Sequence, residues 1–172
     1  MKKTEYIVIA FVNNQVSVLN RITSAYLKRH INIESLNVSE SFVKGISTVV
    51  ISANTSADTI EKVVNQLGNI VDVIYVDYYL QSDLICKELG LYKIASVILD
   101  ERSYFEYILN RSNGRIIEIN SDYIIMEKSG TRNELEKLKE ELEKRNVLTS
   151  YSRSGIVVLH RESIEDMFQK VS

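Results

Sequence analysis

The sequence predicts an α+β chain built from two β-α-β-β-α-β units in tandem. Three features carry that prediction. Residues 6–12, YIVIAFV, form a nearly continuous apolar run rich in β-branched and aromatic side chains, as a buried strand requires. The segment after it places Val18, Ile22, Ala25 and Tyr26 on one face at helical spacing. Beyond Gly90 the same succession of strand, helix, hairpin, helix and strand begins again.

In the first unit the opening strand ends in the polar loop Asn13-Asn14-Gln15, and a helix follows over 18–29. Lys28, Arg29 and His30 close that helix, where its dipole favours positive charge. Residues 31–40 read as the second strand, 42–45 as a turn and 46–53 as a returning strand, a hairpin pattern. Thr55, with Asp58 three positions on, marks the start of a second helix. That helix buries Ile60, Val63, Val64 and Leu67, and 71–80 is the fourth strand. This order is the split βαβ, or ferredoxin-like, arrangement. Right-handed crossovers put both helices on one face of the sheet. The other face then needs cover, from a second copy or from the rest of the chain, because bare apolar sheet is an aggregation hazard.

The polar stretch 81–90 reads as a linker between a first domain, 1–80, and a second, 91–172. In the second, 91–99 is a strand and 101–113 a helix with Tyr104, Tyr107 and Ile108 turned inward. Residues 115–119 and 123–128 form a hairpin around Asn120-Ser121-Asp122, residues suited to a tight turn. Thr131 and Glu134 make a capping box for a helix that buries Leu135, Leu138 and Leu142. Residues 147–151 and 156–160 close the sheet. A short terminal helix over 163–171 would gather Ile164, Met167 and Phe168 on one side.

Composition narrows the function. The chain has 172 residues, enough for one large or two small domains. With 45% hydrophobic and 26% charged residues it suits a packed core and a charged surface. A net charge of −2 and a pI near 5.8 lack the clustered positive charge of a nucleic-acid binder. One cysteine, Cys86, allows no internal disulfide and fits a reducing, cytoplasmic compartment. No apolar run approaches the roughly 20 residues of a membrane-spanning helix. The start, MKKTEYIVIAFVNN, reads as a first strand and not a signal peptide, since its apolar run is short and no A-x-A-like site follows.

The order of strand end, polar loop, helix and strand places Asn14 and Asn32 where a loop and a strand start can converge on a small polar ligand. Plainer readings stand beside this one. Asn14 and Ser17 are good helix N-caps, and Asn32 can satisfy a strand end through local backbone. Glu34 reads as a sheet charge. His30, His160 and Cys86 are too few and too far apart for a metal site. Cys86 has no neighbouring base to activate it as a nucleophile. Tyr75, Tyr78 and Tyr79 surround an aspartate with no Lys or Arg, which suits packing better than base stacking. The mixed Glu/Lys run over 132–145 is a solvated helix face, and Ser129-Gly130-Thr131 is a turn and not a phosphate loop.

Six segments occur in order along the chain: NQVSVLNR (14–21), NIESLNV (32–38), KELGLYKI (87–94), RIIEI (115–119), KSGT (128–131) and RSGIVVL (153–159). On these, the chain resembles the small regulatory subunits of acetolactate synthase (acetohydroxyacid synthase) over almost its whole length. Its first half is similar to an ACT domain, the small-molecule-sensing form of the ferredoxin-like fold. The resemblance implies a non-catalytic subunit that activates a large catalytic subunit in branched-chain amino-acid synthesis. It also implies feedback inhibition by valine, or by leucine or isoleucine. Thiamine diphosphate, Mg and FAD are then expected on the large subunit, with no cofactor on this chain. ACT domains of such subunits pair across a homodimer and hold the amino acid between them. The implied effector-binding residues are Asn14, Gln15, Val16, Ser17, Val18 and Leu19 in the loop, with Asn32 and Ile33 on the strand.

Ser17 departs from the family, which usually has glycine there. Glycine tolerates positive φ and lets backbone approach a ligand closely. A serine with negative φ can still aim its N–H at a carboxylate near the helix N-terminus; otherwise the valine site is weakened while activation survives. His30 also replaces a frequent glycine, a variation at a helix end. Two rival functions remain: a free-standing amino-acid sensor for another target, and an enzyme. The first calls for a helix-turn-helix or basic surface, the second for a converged catalytic set, and the sequence displays neither.

Overall fold

The computed structural model describes residues 3–161. The elements are β1 (Thr4–Asn13), α1 (Val18–Leu27), β2 (Ile33–Glu40), β3 (Ile46–Thr55), α2 (Ala57–Gly68), β4 (Val73–Leu80), β5 (Leu84–Ala95), α3 (Arg102–Ser112), β6 (Arg115–Ile119), β7 (Tyr123–Gly130), α4 (Arg132–Lys144), β8 (Leu148–Arg153) and β9 (Val157–His160). Short 3-10 turns occupy Gln81–Asp83 and Ser96–Glu101. Lys87–Gly155 form one compact unit, and the described residues on either side, 3–86 and 156–161, form the other. The expected α+β class, with two ferredoxin-like β-α-β-β-α-β units, is what the chain adopts.

In the first unit the antiparallel sheet runs β2-β3-β1-β4. Its helix-side core joins Val8, Ala10 and Val12 of β1 to Ile22, Ala25 and Tyr26 of α1 and to Ile60, Val63 and Leu67 of α2. The opposite face carries Ile7, Ile9, Phe11, Val50 and Tyr75, and it is covered by Leu84, Cys86 and Ile156. β1 is therefore buried on both sides, which explains its unbroken apolar run. The cover that the sequence demanded for this face comes from the chain itself.

The second unit repeats the order as β6-β7-β5-β8. Its core joins Tyr92 and Ile94 to Phe105, Ile108, Ile124, Met126, Leu138 and Leu142. The Tyr92 hydroxyl donates to the Leu135 carbonyl at 2.9 Å. The Thr131–Glu134 capping box is formed as expected.

Several sequence expectations need correction. The stretch 81–90 is not a polar linker: a 3-10 turn leads directly into β5. There the chain alternates, burying Leu84, Cys86, Glu88 and Gly90 and exposing Ile85, Lys87 and Leu89. A buried glutamate disguised the period. Glu88 is 3% exposed because Arg153 pairs with it and Arg132 Nε lies 3.5 Å from its other oxygen. Residues 91–99 do not form one strand, because β5 ends at Ala95 and a 3-10 turn occupies Ser96–Glu101. In α3, Ile108 is buried and Tyr104 packs against the core as expected, Phe105 and Ser112 join them, and Tyr107 is instead 52% exposed. Ser56, not Thr55, stands at the N-cap of α2. The segment 156–160 belongs with the first unit, and the expected terminal helix at 163–171 lies outside the described residues.

Candidate functional site

The β1–α1 loop is held by main-chain bonds at both ends. Asn13 N–H donates to the Asp72 carbonyl at 2.8 Å and Asn14 N–H to the Gly45 carbonyl at 3.0 Å. Val18 N–H reaches the Gln15 carbonyl at 3.4 Å, and Ser17 has φ 82 and ψ −14. Val16 is not among the positive-φ residues. Gln15-Val16-Ser17-Val18 is thus a type II turn with Ser17 at its third position, which demands positive φ. Ser17 adopts the conformation that glycine takes freely, at a steric cost of about 1–2 kcal/mol for a residue with a Cβ. Its hydroxyl makes no cap bond, so the simple N-cap reading of Ser17 does not hold.

Asn14, Gln15, Val16 and Ser17 are exposed, Val16 almost fully at 97%. Val18 is buried and moors the loop to the core, while Leu19 lies at its rim. A further tie comes from Arg21, whose N–H bonds the Ser17 carbonyl and whose guanidinium pairs with the Asp72 carboxylate.

Asn32 and Ile33 sit elsewhere. Ile33 pairs with Ala53, which pairs with Tyr6 near the start of β1; Asn13, beside the loop, pairs with Ile46. From Tyr6 to Asn13 is roughly 23 Å at strand rise. One chain therefore does not bring Asn14 and Asn32 together, contrary to the convergence expected from sequence. The cause is topological. β1 and β2 run parallel on either side of β3, so the crossover through α1 must return β2 to the end where β1 began. Asn32 Nδ2 donates to Glu34 Oε1 at 3.3 Å, where β2 breaks register.

Asp72 and Gly45 anchor this loop through their main-chain carbonyls, contacts that sequence reasoning did not single out because each joins residues far apart in the chain. His30 has φ 53 and ends the α1 turn in the left-handed region, the conformation a glycine there would take without strain. Tyr75 lies on the covered sheet face, its hydroxyl 2.6 Å from that of Tyr79, and Tyr78 packs edge-on against Tyr6. Cys86 lies in the covered-face core and His160 against Tyr79. No cluster of His, Cys, Asp and Glu that could hold a metal occurs among the described residues. No helix among them is long and apolar enough to cross a membrane.

Residues 9–75 match the family described as AHAS small subunit-like ACT domain, and residues 87–162 match the family described as small subunit of acetolactate synthase. The chain belongs to the acetolactate synthase small-subunit family. It is similar to the probable acetolactate synthase small subunit of Methanothermobacter thermautotrophicus, 28% identical over 95% of this chain and 96% of that one. It is similar to the Bacillus subtilis acetolactate synthase small subunit, 29% identical over 78% of each chain. Among solved structures it resembles the acetolactate synthase small subunit of Thermotoga maritima, with a TM-score of 0.80 and 27% identity over 92% of this chain and 98% of that one. The ACT-domain match lies within the first unit, and the 14–19 loop, exposed over 14–17, is its candidate ligand loop.

Proposed function

We propose that this chain is the non-catalytic regulatory subunit of an acetolactate synthase. It binds the large catalytic subunit, raises its activity and makes it sensitive to valine, or to leucine or isoleucine. Thiamine diphosphate, Mg and FAD belong to the large subunit, and the carbon–carbon bond chemistry is done there.

The observation that carries the effector half is the geometry of β2. Among the described residues no strand pairs with the outer side of this edge strand, and it exposes Leu36 (37%) and Val38 (45%) on the helix side. Antiparallel pairing of β2 with β2 of a second copy, in the register centred between Leu36 and Asn37, sets Ile33 of one protomer against Glu40 of the other. Glu40 pairs with Ser47, and Ser47 with Val12, beside the loop. A homodimer formed in this way brings each Asn32 and Ile33 to the partner's Asn14, Gln15, Val16, Ser17, Val18 and Leu19. The site is complete only between two copies, so one amino acid bound there biases both protomers. Regulation then follows as a population shift between dimer arrangements that bind the effector with different affinity.

The test is the initial rate of acetolactate formation by the cognate large subunit as this chain is titrated in, with and without valine. A saturable rise that valine reverses supports the whole proposal. A rise that valine leaves untouched keeps the partner and removes the effector, the outcome of too great a penalty at Ser17. No rise at all rejects the regulatory role. Asn14→Ala is expected to keep activation and abolish the valine response.

A further inference from the structure

β2 presents two chemically different faces. Leu36 and Val38, opposite Ile51 and Val49, lie on the helix side, whereas Ser35 and Asn37, opposite Ser52 and Val50, lie on the covered side. On that covered side both main-chain groups of Ile156 are held by β2 side chains. Asn37 Nδ2 donates to the Ile156 carbonyl at 3.3 Å, and the Ile156 N–H donates to Ser35 Oγ at 3.2 Å. The Ile156 side chain, 4% exposed, is wedged among Ile7, Ile9, Phe11 and Val50. Ladder bonds between strands tolerate most side chains, but this link depends on the identity of two.

We propose that Ser35 and Asn37 form a relay that carries effector occupancy from β2 to the segment at Ile156. The proposal rests on the effector reading above, in which Asn32 and Ile33 at the head of the same strand touch the ligand. A strand is stiff along its length. A shift or tilt of β2 on ligand binding must either carry Ile156 along or break both bonds. Close packing around Ile156 turns such a movement into a step between discrete arrangements instead of a graded yield. Arg153-Ser154-Gly155 immediately precede Ile156 in the chain, so the movement is handed directly to the backbone of the second unit. Ser35 and Asn37 are positioning residues here and touch no ligand.

The experiment compares Asn37→Asp, which swaps the donor for an acceptor of nearly the same shape, with Ser35→Ala and with Ser35→Thr, which keeps the hydroxyl. Calorimetry on the full chain gives the valine Kd, and the reconstituted holoenzyme gives activation and valine inhibition. For Asn37→Asp and Ser35→Ala the Kd is expected to stay within about twofold and activation to persist, while half-inhibition needs roughly tenfold more valine. Ser35→Thr is expected to behave as the parent chain. Unchanged inhibition in both disruptive variants would overturn the relay. So would a Kd that weakens in parallel with inhibition, since Ser35 and Asn37 would then only shape the site. Ser35→Ala, a small change at a half-buried position, keeps the test open where Asn37→Asp fails to fold. A parent chain that binds no branched-chain amino acid overturns the effector reading itself, and the relay falls with it.

Discussion

Arg21 of α1 forms an ion pair with Asp72, and the main-chain carbonyl of the same aspartate accepts the amide of Asn13 at 2.8 Å. One residue of the α2–β4 connection thus ties down both ends of the proposed effector loop. The pair is partly solvated, with side chains 44% and 20% exposed, so Asp72→Ala is expected to lower global stability by no more than about 1 kcal/mol. Its local effect should be larger. Amide hydrogen exchange over 14–19 is expected to accelerate while Ile22 and Tyr26 stay protected. Equal acceleration at all of these positions would show that the pair does not anchor the loop.

Ser17 occupies a turn position made for glycine. Ser17→Gly removes the clash of a Cβ at positive φ but frees the unfolded chain, and the balance is a gain of about 0.5–1 kcal/mol. Ser17→Val should destabilise by more than about 1 kcal/mol, since a β-branched residue fits this conformation worst. Urea midpoints that move in these opposite directions at constant slope would bear this out. Identical midpoints for the two variants would place the strain elsewhere.

Glu88 is the most deeply buried charge of β5, its side chain 1% exposed against 25% for Arg153. Removing the arginine strands a carboxylate in the second unit. Arg153→Met is expected to cost about 3 kcal/mol, the low end for a broken buried pair, because Arg132 remains nearby. Adding Glu88→Gln to that variant should recover much of the loss, because it removes the stranded charge. A double variant no more stable than Arg153→Met would rule out the charge as the cause.

The α4 cap carries a pH dependence. The Thr131 amide donates to the Glu134 carboxylate at 2.7 Å. That backbone bond is the main reason the carboxyl titrates below its ordinary range, and the Thr131 hydroxyl adds to it. A depressed folded pKa stabilises the fold above the unfolded value, about 4.3 for glutamate, and the benefit disappears as pH falls through the lower folded value. Thr131→Ala should therefore cost about 1 kcal/mol at neutral pH. The gap in melting temperature between the parent chain and Glu134→Gln should narrow as pH is lowered toward about 3. A gap independent of pH would exclude the carboxylate form of Glu134 from the cap.

The helical periodicity of α1 and α4 was legible. The buried stripe Val18, Ile22, Ala25 and Tyr26, the stripe Leu135, Leu138 and Leu142, and the Thr131–Glu134 box all appear as expected. Legibility failed where a long-range partner changed what a residue could do. Glu88 reads as surface until two arginines are seen around it, and of the three α3 residues read as inward only Tyr107 turns out.

By itself the sequence determined the element order, both helix-side cores and the family, because period, capping and motif order are carried by near neighbours in the chain. Only the tertiary structure decided that Asn14 and Asn32 lie at opposite ends of one sheet, that Asp72 holds both ends of the loop, and that Ser35 and Asn37 grip Ile156. These relationships join residues far apart in the chain through strand register and single side-chain-to-backbone bonds. Nothing in local composition or spacing encodes which distant carbonyl or amide a polar side chain will meet.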